Sequence, residues 1–320
     1  MGRQDIIRSL SYPAVVWLLV AGSGCTASAT GSTGRTTPLG DVKPAALSGA
    51  LTAAATTTQI ADFVSSVGGD RLTVVSLLAA NQDPHEFEPK PEDVQRLNSA
   101  AIVFKNGVGL ERHFAKVLDN LPETTPIVDT SRGVRLRQQE GEDDPHIWHD
   151  PRNAEVMVMN IRDALQRRDP ANAAYYAGNT TRYLAQLDEL DARIRQLIDA
   201  VPPSQRKLVT NHDAFGYFTD AYPITSVESV IPNGNTTAEP KPGDTEDLIR
   251  KIRAQHVCAI FTESSVNPKL EQQLAADAGV KVNSNLCGDT LGPQGSDGDS
   301  YLKMEESNAL RMAAGMVEQC

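Results

Sequence analysis

Two histidines in this chain stand in the same local context, each directly after an aspartate–proline pair. The two tripeptides are Asp83-Pro84-His85 and Asp144-Pro145-His146. A residue before proline is held extended and away from the helical region, so each step predicts a tight loop that presents a histidine. Neutral imidazole is the commonest metal ligand in proteins. The repeat therefore indicates a metal site built from two segments that only the fold brings together.

The elements that must position these loops follow an alternating pattern of short apolar runs and amphipathic segments. In the first half, the predicted strands are 51–56, 72–78, 101–105 and 127–129, and the predicted helices are 59–67, 91–99, 110–118 and 153–167. Residues 133–144 are polar and acidic, and they predict a loop that approaches His146. Strand–helix alternation with short connections indicates a parallel sheet covered on both faces.

The second half repeats the alternation after a long helical segment. Residues 171–200 predict one helix that Pro202-Pro203 ends, although two shorter helices meeting near Gly178 are the alternative. A helix of about thirty residues would be roughly 45 Å long. The later strands are 207–210, 224–230, 256–262 and 280–285, and the later helices are 212–220, 245–254, 268–278 and 301–318. The predicted fold is α/β: two parallel-sheet lobes with helices on both faces, joined by one long rigid helix, with the metal site in the inter-lobe cleft.

Polar side chains follow several of the predicted strands, where open α/β sheets bind their ligands. His85, His212, Glu263 and Asp289 each come after a strand, and His146 precedes a helix of the first lobe. Two histidines of the first lobe would then face His212 and an acid of the second lobe across the cleft.

Three imidazoles and one carboxylate form a ligand set that suits Zn²⁺. Manganese prefers more oxygen, which a bidentate Asp289 with help from Glu263 would supply, so manganese stays open. Glu263 is better explained as an acceptor that orients a ligand histidine. His149 would face away from His146 on an extended loop, so it is a weaker candidate for contact with the metal ligands. Four protein ligands leave no position for a reactive water, which argues against hydrolysis.

The composition is that of a globular protein of two ordinary domains. The 320 residues are 40% hydrophobic and 22% charged, as in soluble domains. The formal net charge of −11 argues against nucleic acid and against an anionic membrane surface as partners. It suits a protein that attracts cations.

The N-terminus predicts export. Arg3 and Arg8 precede an apolar run over 12–21 and the small residues before Cys25, which is the pattern of a cleaved signal. Cysteine after small residues resembles a bacterial lipoprotein signal in which Cys25 is lipidated; an ordinary secretory signal with a free Cys25 is the alternative. Residues 25–46 are rich in Ser, Thr, Gly, Ala and Pro and predict a flexible tether. Export implies an oxidising compartment, where the three remaining cysteines would form one bridge and leave one free thiol.

Six motifs occur in the order of a known family. They are 81–98, Asn106-Gly107-Val108-Gly109-Leu110-Glu111, Asp144-Pro145-His146-Ile147-Trp148, 211–218, Phe261-Thr262-Glu263 and Gly288-Asp289-Thr290-Leu291-Gly292. Together they resemble the zinc/manganese-binding proteins of bacterial ABC importers, the metal-specific class with a long linker helix. The resemblance implies that the metal ligands are His85, His146, His212 and Asp289. Manganese members usually carry glutamate at the position of His212, which favours zinc.

The resemblance also implies a role and a domain plan. The role is an exported, monomeric receptor, lipid-anchored to the outer face of the cell membrane, that is not an enzyme and delivers zinc to a permease driven by a cytoplasmic ATPase. Alternatives are the same role for manganese, a metal-dependent surface adhesin or a zinc hydrolase. A disulfide between Cys258 and Cys320 is implied, leaving Cys287 unpaired. The expected segments are a signal peptide at 1–24, the tether at 25–46, lobes at 47–170 and 202–320, and the linker helix at 171–201.

Overall fold

The structure is a computed structural model that describes residues 51–139, 141–231, 236 and 242–318. The predicted signal peptide, the tether with Cys25, and Cys320 of the predicted disulfide lie outside these residues. Among the described helices, none has both the length and the apolar character needed to cross a bilayer.

Two four-stranded parallel sheets form the framework. The first sheet contains β1 (Leu51–Ala55), β2 (Leu72–Ser76), β3 (Ile102–Lys105) and β4 (Ile127–Asp129) in the order β2-β1-β3-β4. A small antiparallel hairpin follows, made of β5 (Gln138–Gln139) and β6 (Glu142–Asp143). The second sheet contains β7 (Lys207–His212), β8 (Thr225–Ile231), β9 (Ala259–Glu263) and β10 (Lys281–Leu286) in the order β10-β9-β7-β8.

The strand order reverses at one point in each sheet, between β1 and β3 and between β7 and β9. Such switch points leave a crevice beyond the carboxyl ends of the strands, which is where open α/β sheets hold ligands. His212 and Glu263 are the last residues of β7 and β9. Both therefore lie at the switch point of the second sheet.

The described residues form nine α-helices around these sheets. They are α1 (Thr58–Gly68), α2 (Pro91–Ser99), α3 (Ala115–Asp119), α4 (Pro151–Arg168), α5 (Ala173–Asp199), α6 (Gly216–Ala221), α7 (Pro242–Ala254), α8 (Lys269–Ala278) and α9 (Tyr301–Glu318). The 27-residue α5 runs through Gly178 without a break, so the single long helix is confirmed. It contacts α1 and α4 of the first half and α9 of the second, and thereby joins the two halves.

One apolar core is continuous between the sheets. Ala53 and Phe104 of the first sheet belong to the same buried cluster as Leu208 and Phe261 of the second, together with residues of α5. The alternate strand residues face separate clusters on the outer sides, such as Val103 in the first sheet. Both faces of each sheet are thus covered, and the predicted α/β fold with two parallel-sheet lobes is confirmed.

Three local predictions differ from the structure. The predicted helix 110–118 is a 3₁₀ turn at Arg112–Phe114 followed by the short α3. The predicted loop at 133–144 contains the hairpin. His212 ends β7 instead of opening a helix, because β7 stays paired to β8 up to His212 opposite Ile231. Tertiary pairing overrides local propensity at that position.

Candidate metal centre

The second lobe presents His212 from the end of a buried strand. Its side chain is fully buried, and its Nδ1 lies 2.7 Å from Oε1 of Glu263 at the end of the neighbouring strand. A Cβ atom on Gly288 would lie 1.9 Å from Oε2 of Glu263. Glycine at 288 therefore leaves the space in which the carboxylate sits behind the imidazole.

The two aspartate–proline–histidine loops have the same backbone structure. The backbone N–H of His85 donates to Oδ1 of Asp83 at 2.8 Å, and that of His146 donates to Oδ1 of Asp144 at 3.0 Å. An aspartate that accepts from the backbone two residues ahead forms an Asx turn. The repeated tripeptide thus sets the direction of each histidine through a local hydrogen bond.

The loop of His146 is held more firmly than that of His85. Oδ1 of Asp144 also lies 2.8 Å from Nδ1 of the His146 ring. The side-chain amide of Asn106 donates to the Pro145 carbonyl at 3.0 Å. His146 and Asp144 have no exposed side-chain surface, whereas the side chain of His85 is 11% exposed.

Four side chains converge on one point between the lobes. His85, His146, His212 and Asp289 each offer a donor atom within 4.8 Å of the other three. Nε2 of His85 lies 3.3 Å from Nε2 of His146 and 3.6 Å from Oδ2 of Asp289. Oδ1 of Asp289 lies 3.5 Å from Nε2 of His146, and its Oδ2 lies 3.3 Å from Nε2 of His212. Ligands at about 2.0–2.1 Å from a tetrahedral zinc ion are separated by about 3.3–3.4 Å, and the four separations given above are close to this value.

The charges at this point also suit a cation. Asp289 is fully buried, and although burial opposes ionisation, the facing histidines hold the pKa of its carboxyl well below the usual range. Its two oxygens, and Nε2 of His212 that faces them, form no hydrogen bond with the described residues. A buried polar atom without a partner costs about 1–3 kcal/mol. A metal ion would satisfy these atoms.

The three histidines differ in their readiness to bind metal. Burial lowers the pKa of His85 to about 4, so its imidazole is neutral at physiological pH. Burial opposes protonation of His146 and His212 as well, but the adjoining carboxylates raise the pKa of both rings above the ordinary value. A metal must therefore compete with a proton at those two positions.

The predicted neighbour His149 and the nearby Cys287 are not among the four converging donors. His149 is buried with its Nδ1 2.8 Å from Oε1 of Glu305, and its ring packs on Phe215 with centroids 4.4 Å apart. Cys287 is a half-buried free thiol whose backbone N–H donates to Asn308. His149 is thus paired with a different carboxylate, Glu305, outside the set of four donors.

Sequence reasoning missed Asp144 and Arg137 as neighbours of His146. Nη1 of Arg137 donates to Oδ2 of Asp144 at 2.8 Å. The repeated aspartate two residues before each histidine was the available signal for Asp144. Arg137 gave no signal, because nothing in the polar segment 133–144 distinguishes it from the nearby Arg135.

Known proteins match the chain over most of its length. The profile of the family described as "ZnuA: Zinc-uptake complex component A periplasmic" matches residues 54–315. The metal ABC transporter substrate-binding lipoprotein SloC of Streptococcus mutans is 32% identical over 279 residues, which cover 84% of this chain and 90% of SloC. The manganese ABC transporter substrate-binding lipoprotein PsaA of Streptococcus mitis is 32% identical over 287 residues, covering 86% of this chain and 92% of PsaA.

Solved structures show the same fold. The periplasmic zinc-binding protein TroA of Treponema pallidum superposes with a TM-score of 0.78 and 28% identity, covering 84% of this chain and 99% of TroA. A manganese-bound periplasmic metal-binding protein of Candidatus Liberibacter asiaticus has a TM-score of 0.76 at 23% identity, covering 83% of this chain and 99% of that protein. The chain therefore belongs to the family of periplasmic zinc-uptake complex component A proteins.

Proposed function

We propose that the protein is the extracytoplasmic receptor of an ABC importer and that it carries zinc between its lobes. The ligands are His85, His146, His212 and Asp289. The observation that carries the proposal is the convergence of their four donor atoms at separations that fit a tetrahedral ion. Because the family and the named relatives are substrate-binding components of transporters, the protein is not an enzyme.

The donor set supports zinc as the cargo. Three imidazole nitrogens and one carboxylate suit zinc, whereas manganese favours sites richer in oxygen. Manganese is the second candidate, because relatives such as PsaA are named for it. Glu263 contacts the far side of the His212 ring and is therefore assigned to orienting that ligand, not to binding metal.

The place of action follows from the relatives and the N-terminal sequence. Relatives at 32% identity are named as lipoproteins of ABC transporters, and Cys25 stands where a lipid anchor would be attached. The protein then acts as a monomer on the outer face of the membrane, delivering metal to a permease whose partner is a cytoplasmic ATPase. A Cys258–Cys320 disulfide and lobes at 47–170 and 202–320 belong to the same proposal.

Native mass spectrometry and competition titrations with a chelating dye test the proposal. The wild-type protein should bind one metal per chain and prefer zinc to manganese, and His146→Ala should lose at least about 100-fold in zinc affinity. The exposed His113, on the same lobe, provides the control variant His113→Ala, which should bind like the wild type.

Each contrary result has a definite meaning. Absence of metal, or equal affinity in the His146 variant, would refute the site. Preference for manganese would replace zinc by the second candidate. Loss of the folded state on chelation would point to a structural metal, as in an adhesin.

A further inference from the structure

A short segment of the first lobe is bound to the second lobe beside the metal centre. This interlobe strap consists of residues 137–139. Nε of Arg137 donates to Oδ2 of Asp220 at 3.1 Å, and the side-chain amide of Gln139 donates to the Asp213 carbonyl at 2.8 Å. Both acceptors lie in the segment that directly follows His212. The strap therefore contacts the stretch of the second lobe that follows the donor His212 in the chain.

The other end of the Arg137 guanidinium reaches the support of His146. Its Nη1 donates to Oδ2 of Asp144 at 2.8 Å, and Oδ1 of the same carboxylate lies 2.8 Å from Nδ1 of His146. The planar guanidinium carries several donors in a fixed fork, so one arginine holds two carboxylates at the same time. Lysine, a point charge with one nitrogen, does not reproduce this geometry.

Two residues of the second lobe, Tyr217 and Gly216, lie against this contact. The hydroxyl of Tyr217 accepts from the Arg137 backbone N–H at 3.0 Å and donates to the Asp144 carbonyl at 3.1 Å. A Cβ atom on Gly216 would lie 1.7 Å from Nη1 of Arg137. In this position the guanidinium occupies the space that a side chain at residue 216 would fill.

We propose that Arg137 is a positioning residue that fixes His146 in its metal-binding orientation through Asp144 while the second lobe holds the guanidinium through Asp220. Orientation of a first-lobe ligand then depends on contact with the second lobe. Displacement of the strap loosens the His146 ring, so the strap slows the loss of metal that leaves on the side of His85. The inference rests on the proposed metal site.

The test compares zinc dissociation and the cobalt(II) absorption spectrum in variants of the full chain. Arg137→Met removes the fork and should accelerate zinc dissociation about tenfold or more, with an altered cobalt spectrum because one ligand ring is reoriented. Asp220→Asn keeps the Asp144 contact but weakens the second-lobe contact, so it should give an intermediate increase. The matched control is Arg112→Met, since Arg112 binds Glu142 of the same hairpin at 3.1 Å on the exposed surface. It should behave like the wild type.

The possible outcomes separate this inference from the proposed function. If the wild type binds neither zinc nor cobalt, the metal site itself is wrong. If the wild type binds but Arg137→Met releases zinc at the rate of Arg112→Met with an unchanged spectrum, the positioning role of Arg137 is refuted. Should Arg137→Met fail to fold, Arg137→Lys and Asp220→Asn decide the question, because wild-type release rates in both would equally refute it.

Discussion

Replacing Glu263 by glutamine tests whether the carboxylate behind His212 tunes the metal site. Glu263 is 3% exposed, and its Oε1 lies 2.7 Å from Nδ1 of the fully buried His212. Glutamine keeps the volume and removes the charge, so the ring becomes less basic and less firmly oriented. Loss of such a support costs about 10–100-fold in metal affinity. This corresponds to about 1.4–2.7 kcal/mol.

The size of this loss should depend on pH in a defined direction. Burial opposes protonation of His212, but the carboxylates of Glu263 and Asp289 raise its pKa well above the ordinary value. Below that raised pKa, zinc must displace a proton from the wild-type ring, at about 1.4 kcal/mol per pH unit. Glu263→Gln lowers the pKa and removes part of this competition. The difference in zinc affinity between the wild type and Glu263→Gln should therefore be largest at high pH and become smaller as the pH falls.

Competition titrations with a chelating dye between about pH 6 and pH 8 measure both effects. The matched control is Glu305→Gln, because Glu305 forms the same kind of buried contact with His149, at 2.8 Å, apart from the four donors. That variant should keep wild-type zinc affinity at every pH. Equal affinity of Glu263→Gln and the wild type at high pH, or a difference that grows as the pH falls, would refute the reasoning.

Three further perturbations probe the same centre. Gly288→Ala places a Cβ atom 1.9 Å from Oε2 of Glu263, so zinc affinity should fall about 10–100-fold by dye competition. Asn81→Gly keeps the positive φ of 60° but removes the hydrogen bond that Ser264 donates across the cleft at 2.9 Å. The free-energy barrier to zinc release should fall by about 0.5–1.5 kcal/mol, and stopped-flow chelation should measure the faster release. Zinc at a thousand times its Kd should stabilise the protein by about 4 kcal/mol in calorimetry, and a chelator should reverse this while leaving the apo form folded.

Local sequence signals predicted the elements whose ends are fixed locally. The bounds of α2 match the prediction, because Pro91 stands in its first turn and Asp93 accepts from the Lys90 backbone at 2.9 Å. The Asx turns at both histidine loops are equally local, since each aspartate bonds within two residues. The end of β7 at His212 was mispredicted because its pairing with a distant strand decides it.

The surroundings of the donors were less predictable, because they depend on contacts between distant residues. Arg137 meets Asp220 at a separation of 83 residues, and His149 meets Glu305 at a separation of 156. No pattern within one segment marks such a pair. The closeness of His149 to His146 in sequence makes it a candidate neighbour of the ligand set, and a turn at Ile147–His149 directs its ring toward Glu305 of α9.

The fold places the centre where wide lobe separation is costly, so metal release must depend on local movement. The continuous core and the contacts of α5 with helices of both halves resist a hinge opening. Among the three histidines, His146 and His212 are fully buried and have a carboxylate against the far ring nitrogen. His85 has the most exposed side chain of the four donors, and its aspartate bonds the backbone. The loop after β2 is therefore the part of the site that yields at the lowest cost, and metal should enter and leave on the His85 side.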